Sequence, residues 1–209
     1  PQEAALDYYF TSIKDVFEQC GPADSIAAIV VEPLQGEGGF IPAPIEWVKA
    51  VRKICDENGI LLVADEVQTG FCRTGRMFAT QYWEEAGVQP DILATAKFIA
   101  AALKTIEIME RDDLAGCSCE IGEKVSKRFN EWKEKYPVIG DVRGLGGMIG
   151  LEFVKDQKSK EPYPEFSAAV ISGCAKKGLM IEGAGTYGNV IRFLAPLVMT
   201  DEQLEAGLD

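Results

Sequence analysis

The chain has 209 residues, 47% of them hydrophobic, enough to bury a core in one ordinary domain or in one large and one small unit. Its formal charge of -12, with no concentrated block of Lys and Arg, argues against nucleic acid or an acidic membrane surface as a partner. The absence of histidine removes Ser-His and Cys-His nucleophile systems and most catalytic metal sites, so any chemistry has to rest on Lys, Asp, Glu, Tyr or a cofactor.

In chain order, residues 3–19 have helical periodicity and 26–32, "IAAIVVE", read as a continuous apolar strand. The loop "PLQGEGGFIPAP" leads to an amphipathic helix over 45–58, with Pro44 near its start and Gly59 as its stop. A strand at 60–65 comes next, then the loop "EVQTGFCRTGR", a short helix over roughly 76–86 and a third buried strand at 91–96. Strands alternating with helices predict a parallel sheet with helical crossovers. Functional groups in such sheets gather at the carboxyl ends of strands, where Glu32, Asp65 and Lys97 fall.

The second half changes character. Residues 101–135 read as long, charged helix ending at Pro137, and "DVRGLGGMIGLEFV" as a glycine-rich turn leading into a strand. A helix over about 164–177 precedes two short strands, "GLMIE" and "NVIRFLAP", and a last helix opens at "TDEQLEAGLD". The expected organisation is a larger α/β part over 1–105 and a smaller α+β part over 106–209.

Six cysteines, at 20, 55, 72, 117, 119 and 174, read as reduced thiols of a cytoplasmic protein rather than a disulfide frame. "CSC" is the only close pair, and without histidine or a second pair it makes a poor zinc site, so no metal is expected. Runs such as "SIAAIVV" and "GILLVA" are too short to span a bilayer, and the first residues lack the layout of a signal peptide.

Two apolar runs end on charges: "ILLVADEVQ" on Asp65 and "DILATAK" on Lys97. An Asp-Glu after a strand can hold magnesium in a nucleotide hydrolase, but no G-x-x-x-x-G-K-[ST] loop accompanies it. A lysine after a strand is ordinarily a surface residue with its stem on apolar neighbours. The pair together points elsewhere. A desolvated lysine amine is a nucleophile for carbonyls, as an imine with pyridoxal phosphate requires, and a nearby carboxylate keeps the pyridine nitrogen protonated. Alternation puts Asp65 and Val67 on one face and Glu66 on the other, so Val67 can pack on the ring while Gln68 reaches its phenolate oxygen.

The segments "VVEPLQGEGGF", "GILLVADEVQTGFCRTGRMFA", "PDILATAK", "IGDVRGLGGMIGLEF" and "GNVIRFLAPLVMTDEQLEAGL" resemble successive motifs of the class III pyridoxal-phosphate-dependent aminotransferases, within them most closely the 4-aminobutyrate branch. The resemblance implies fold-type I, a mainly parallel sheet with a smaller C-terminal α+β domain, working as a homodimer or tetramer with pyridoxal 5'-phosphate. By the same resemblance Asp65 pairs with the pyridine nitrogen, Val67 packs on the ring, Gln68 binds the phenolate and Lys97 forms the imine and shuttles the proton. Arg192 then takes the substrate carboxylate, and Glu37 pairs with that arginine. The amino group of 4-aminobutyrate or a similar ω-amino acid would pass to a 2-oxo acid, 2-oxoglutarate. An acetylornithine or ornithine aminotransferase is the alternative within the family, and a truncated, cofactor-free binding protein the alternative outside it.

The chain departs from the family pattern in three places. The N-terminal half, with its phosphate-cradling loop, has no counterpart, and about sixty residues are missing near Ile99 to Ala102 when the motifs are compared. The chain is therefore expected to be a piece of a longer polypeptide. Cys72 stands where the pattern favours glycine.

Overall fold

The computed structural model describes residues 2–96 and 99–209. Helix α1 (Gln2–Cys20) turns Ile13 and Phe17, one helical turn apart, toward the first core. Strand β1 (Ala28–Val31) follows, and then a two-residue antiparallel pair, β2 (Leu34–Gln35) with β3 (Ile41–Pro42), inside the segment expected to be all loop. Helix α2 (Ile45–Asn58) starts after Pro44 and stops at Gly59, whose φ of 68° is the left-handed cap geometry that a residue without Cβ adopts freely. Its Val48, Val51 and Cys55, spaced at three and four, are buried.

Strand β4 (Leu61–Asp65), helix α3 (Gln81–Glu85) and strand β5 (Ile92–Ala94) complete the first unit. The three strands form a parallel sheet in the order β1-β4-β5, with Val31 opposite Ala64 and Asp65 opposite Ala94. One face of this sheet is buried: Leu62, Ala64 and Val31 pack with the α2 stripe and Trp83. Val30, Leu61 and Ile92 on the strands remain exposed, so these strands are covered on one side and not buried throughout as their apolar runs suggest.

The charged stretch expected as one helix is two, α4 (Ile99–Arg111) and α5 (Leu114–Lys135). Asp113 separates them with a φ of 45°, and its carboxylate accepts from the Gly116 amide at 3.2 Å, capping α5. The glycine-rich stretch is a hairpin rather than a turn into one strand: β6 (Ile139–Leu145) and β7 (Met148–Phe153) pair through Gly146 and Gly147. Helix α6 (Pro164–Lys176), strands β8 (Glu182–Ala184) and β9 (Val190–Leu194) and helix α7 (Asp201–Leu208) follow. The strand expected over "GLMIE" begins only at its glutamate. The second sheet is antiparallel, ordered β6-β7-β9-β8, and its core gathers Val125 and Phe129 of α5, Leu151, Ile191 and Leu204.

A small third cluster, Leu34, Phe40 and Met148, joins the β2–β3 pair to the second sheet. Arg73 ties the loop after β4 to the end of β9, donating from Nη1 to the Ala195 carbonyl at 2.9 Å. Among the described residues no helix is long and apolar enough to cross a membrane.

Cys72 sits in the loop after β4 at a φ of 68°, directly after Phe71 at 60°, with both amides directed at the Met77 carbonyl. That backbone accounts for the glycine preferred there. Relief of a left-handed Cβ is worth about 1–2 kcal/mol, but a glycine costs about 0.5–1 kcal/mol in unfolded-chain entropy and gives up a buried thiol. Cys72→Gly is therefore expected to change unfolding free energy by less than about 1 kcal/mol in urea titration, whereas the β-branched Cys72→Val should lose about 2 kcal/mol or more.

Candidate functional site

The site is assembled at the carboxyl ends of β1 and β4, where the parallel strands deliver Glu32 and Asp65. Both line a cleft of about 510 Å³ whose other wall carries Tyr8, Tyr9 and Trp47. Asp65 is half-buried, and its Oδ1 accepts the Val67 amide at 3.0 Å. Ala94, three residues before Lys97, is its register partner in β5. Lys97 itself lies outside the described residues.

Val67 follows with about half of its surface exposed, an apolar side chain left with little packing. Gln68 is held against the loop after β2: a Cβ built on Gly36 would fall 1.5 Å from Gln68 Oε1, so only glycine lets the two approach. The Gly36 amide is fixed in turn by Glu32, whose Oε2 accepts it at 2.7 Å. Glu32 thus shapes the loop that carries the next residue, Glu37.

Glu37 and Arg192 are 155 residues apart in sequence, and the structure brings them together: Arg192 Nη1 donates to Glu37 Oε1. The loop backbone supports that meeting. The Gly185 amide, from the turn before β9, donates to the Glu37 carbonyl at 2.8 Å, and Arg143 Nε of β6 donates to the Gly39 carbonyl at 2.9 Å. Arg192 is mostly buried, at 13% side-chain exposure, while the Glu37 side chain is 78% exposed. A buried guanidinium facing an exposed carboxylate is an arrangement that can bind an anion once the carboxylate rotates away.

Sequence reasoning missed two acids. Glu66, placed only on the opposite face from Asp65, is fully buried, and its carboxylate accepts from Thr69 Oγ1, from the Ala79 amide at 3.0 Å and from the Thr80 amide at 2.6 Å. It fixes the loop between β4 and α3. The signal was available, since an acid on the inward face of a strand must be supplied with donors. Glu182 is the other: its Oε2 lies 2.7 Å from Arg192 Nη2. No sequence signal marks it, because the contact exists only through the pairing of β8 with β9.

Asp65, Val67 and Gln68 are the residues that would hold the ring of a pyridoxal cofactor. Among the described residues the second Asp65 carboxylate oxygen has no hydrogen-bond partner, Val67 is about half exposed, and the Gln68 amide lies against Gly36.

Comparison with known proteins gives three findings. The family model described as Aminotransferase class-III matches residues 3–103 and 98–209. The 5-aminovalerate aminotransferase DavT of Pseudomonas putida is 39% identical over 98% of this chain, and 4-aminobutyrate aminotransferase GabT of Escherichia coli is 35% identical over 97%. A solved amine transaminase from an uncultivated Pseudomonas species, in its PLP-bound form, superposes with a TM-score of 0.85 at 28% identity, covering 100% of this chain and 56% of that one. The chain spans 55% of each of the two curated relatives, about half their length. The DavT alignment is 239 positions long against the 209 residues here, so the internal difference near residue 100 is well short of the sixty residues expected.

Proposed function

Because the chain belongs to the class-III aminotransferase family, we propose that it carries part of the active site of an enzyme that moves the amino group of 4-aminobutyrate, or a similar ω-amino acid, to 2-oxoglutarate. The observation that carries this reading is the pairing of a mostly buried Arg192 with an exposed Glu37, next to the Gly36 that Gln68 packs against. The names of DavT and GabT, on five- and four-carbon ω-amino acids, support it over the ornithine alternative. Residues 1–105 belong in this reading to the large cofactor-binding domain and 106–209 to the smaller one, in a cytoplasmic homodimer or tetramer.

Pyridoxal 5'-phosphate, which the family uses, supplies a ring that accepts the electrons left on the substrate carbon. Asp65 would hold the proton on the ring nitrogen. Val67 would pack against the ring and Gln68 would donate to its phenolate oxygen. Lys97 would tether the cofactor and, once free, carry the proton from the substrate carbon to the cofactor carbon.

Arg192 and Glu37 answer a difference between the two substrates. 4-Aminobutyrate has no carboxylate beside its amine, and glutamate has one. Glu37 would cover Nη1 of Arg192 for the first and leave it to the α-carboxylate of the second, since an unanswered carboxylate and a partly unpaired guanidinium are both costly. Glu37→Gln is expected to impair the 4-aminobutyrate half-reaction more than the glutamate one, and Arg192→Ala the reverse, by about tenfold or more in the ratio. Cofactor absorbance followed in each half-reaction separately measures this. Equal losses in both, for both variants, would leave the pair as scaffold.

A further inference from the structure

Arg192 is held by two carboxylates. Glu182 is its directly opposed partner across the β8–β9 ladder, and the contact from Nη2 to Glu182 Oε2 is 2.7 Å while Nη1 is engaged by Glu37. The two acids approach the guanidinium from different chain segments, and both are largely exposed, Glu182 at 72% and Glu37 at 78%. The remaining nitrogen, Nε, is buried without a hydrogen-bond partner among the described residues. The three groups together carry one excess negative charge.

We propose that Glu182 is a specificity-determining residue: it keeps Arg192 occupied after Glu37 has turned away, and so weakens the hold of this site on 2-oxoglutarate and on the α-carboxylate of glutamate. The inference rests on the reading of Arg192 as the carboxylate-binding group. A carboxylate bound by arginine gains most when it takes two parallel N–H donors. With Nη2 engaged by Glu182, the incoming anion finds one Nη free and a like charge beside it. Strand pairing holds the Glu182 backbone directly opposite Arg192, so its carboxylate stays within reach of the guanidinium and its charge beside any anion bound there. Because both acids are exposed, solvent and salt screen the repulsion, and the expected effect is about tenfold in affinity rather than several orders of magnitude.

The test is 2-oxoglutarate binding by titration calorimetry at low ionic strength, on Glu37→Gln, on Glu37→Gln with Glu182→Gln, and on that pair with Arg192→Gln or Arg192→Lys added. Circular dichroism verifies that each folds. The expected result is a dissociation constant about tenfold lower in the double variant than in Glu37→Gln alone, a gain that shrinks in about 0.5 M salt, and loss of binding when Arg192 is replaced. Equal affinities in the first two variants, with binding still dependent on Arg192, would overturn the role of Glu182 and leave the Arg192 reading intact. No binding in any variant, or binding indifferent to Arg192, would overturn both.

Discussion

Asp65→Asn is expected to slow proton abstraction from the substrate on the order of 10²-fold or more while changing substrate affinity little. The local hydrogen bonding makes the direction definite. Oδ1 of Asp65 accepts the Val67 amide at 3.0 Å. An asparagine keeps that bond with its carbonyl oxygen, so its NH₂ occupies the place of the second carboxylate oxygen and presents a donor where the ring nitrogen needs an acceptor. In the proposed reading the nitrogen would then lose its proton and the ring its pull on electrons. Single-turnover kinetics separate the two effects. A variant with weaker binding and an unchanged chemical step would make Asp65 a structural residue.

The second large effect concerns stability and needs no cofactor. Glu66→Ala is expected to lower unfolding free energy by about 3 kcal/mol or more, because three donors aimed at one buried carboxylate would be left unmet. Glu66→Gln keeps the shape but turns one acceptor oxygen into a donor, and should cost about 1–3 kcal/mol. In a chain of this size, 3 kcal/mol corresponds to a drop in melting temperature of about 6–12 °C. Calorimetric melting of both variants measures it. A Glu66→Ala protein that melts within about 2 °C of the parent would show that water replaces the carboxylate.

Much of this architecture was legible because local chemistry marked it. Pro44 and Gly59 bracket α2 to the residue, and the T-x-x-Q of "TDEQ" became a capping box in which Thr200 and Gln203 satisfy each other's backbone amides. The break between α4 and α5 was not legible. "ERDDLAG" has neither proline nor an early glycine, and the left-handed turn is made by Asp113, one of the few side chains that tolerates it. Motif resemblance singled out Glu37 and Arg192, whose contact the structure shows, but Glu182 depends on a strand register that no short window of sequence encodes. Glu66 was visible as a residue and opaque as a role, since its donors lie 3 to 14 positions downstream in a loop without periodicity.

The anchoring of the loop around Glu37 sets a timescale. Its backbone is pinned by the Gly39 amide on the Gly36 carbonyl, by the Phe40 amide on the Gln35 carbonyl and by the Gly185 amide on the Glu37 carbonyl, while a fully buried Phe40 nails the loop's end into the cluster with Leu34 and Met148. Glu37 can therefore leave Arg192 only by turning about its own side-chain bonds, and its solvent exposure makes that a hop between rotamers. Such hops take picoseconds to nanoseconds, against microseconds to milliseconds for the loop closures that often limit enzymes. In the proposed reading the exchange of partners at Arg192 would be kinetically free, and substrate choice at that position would be governed by equilibrium populations rather than by the speed of a gate.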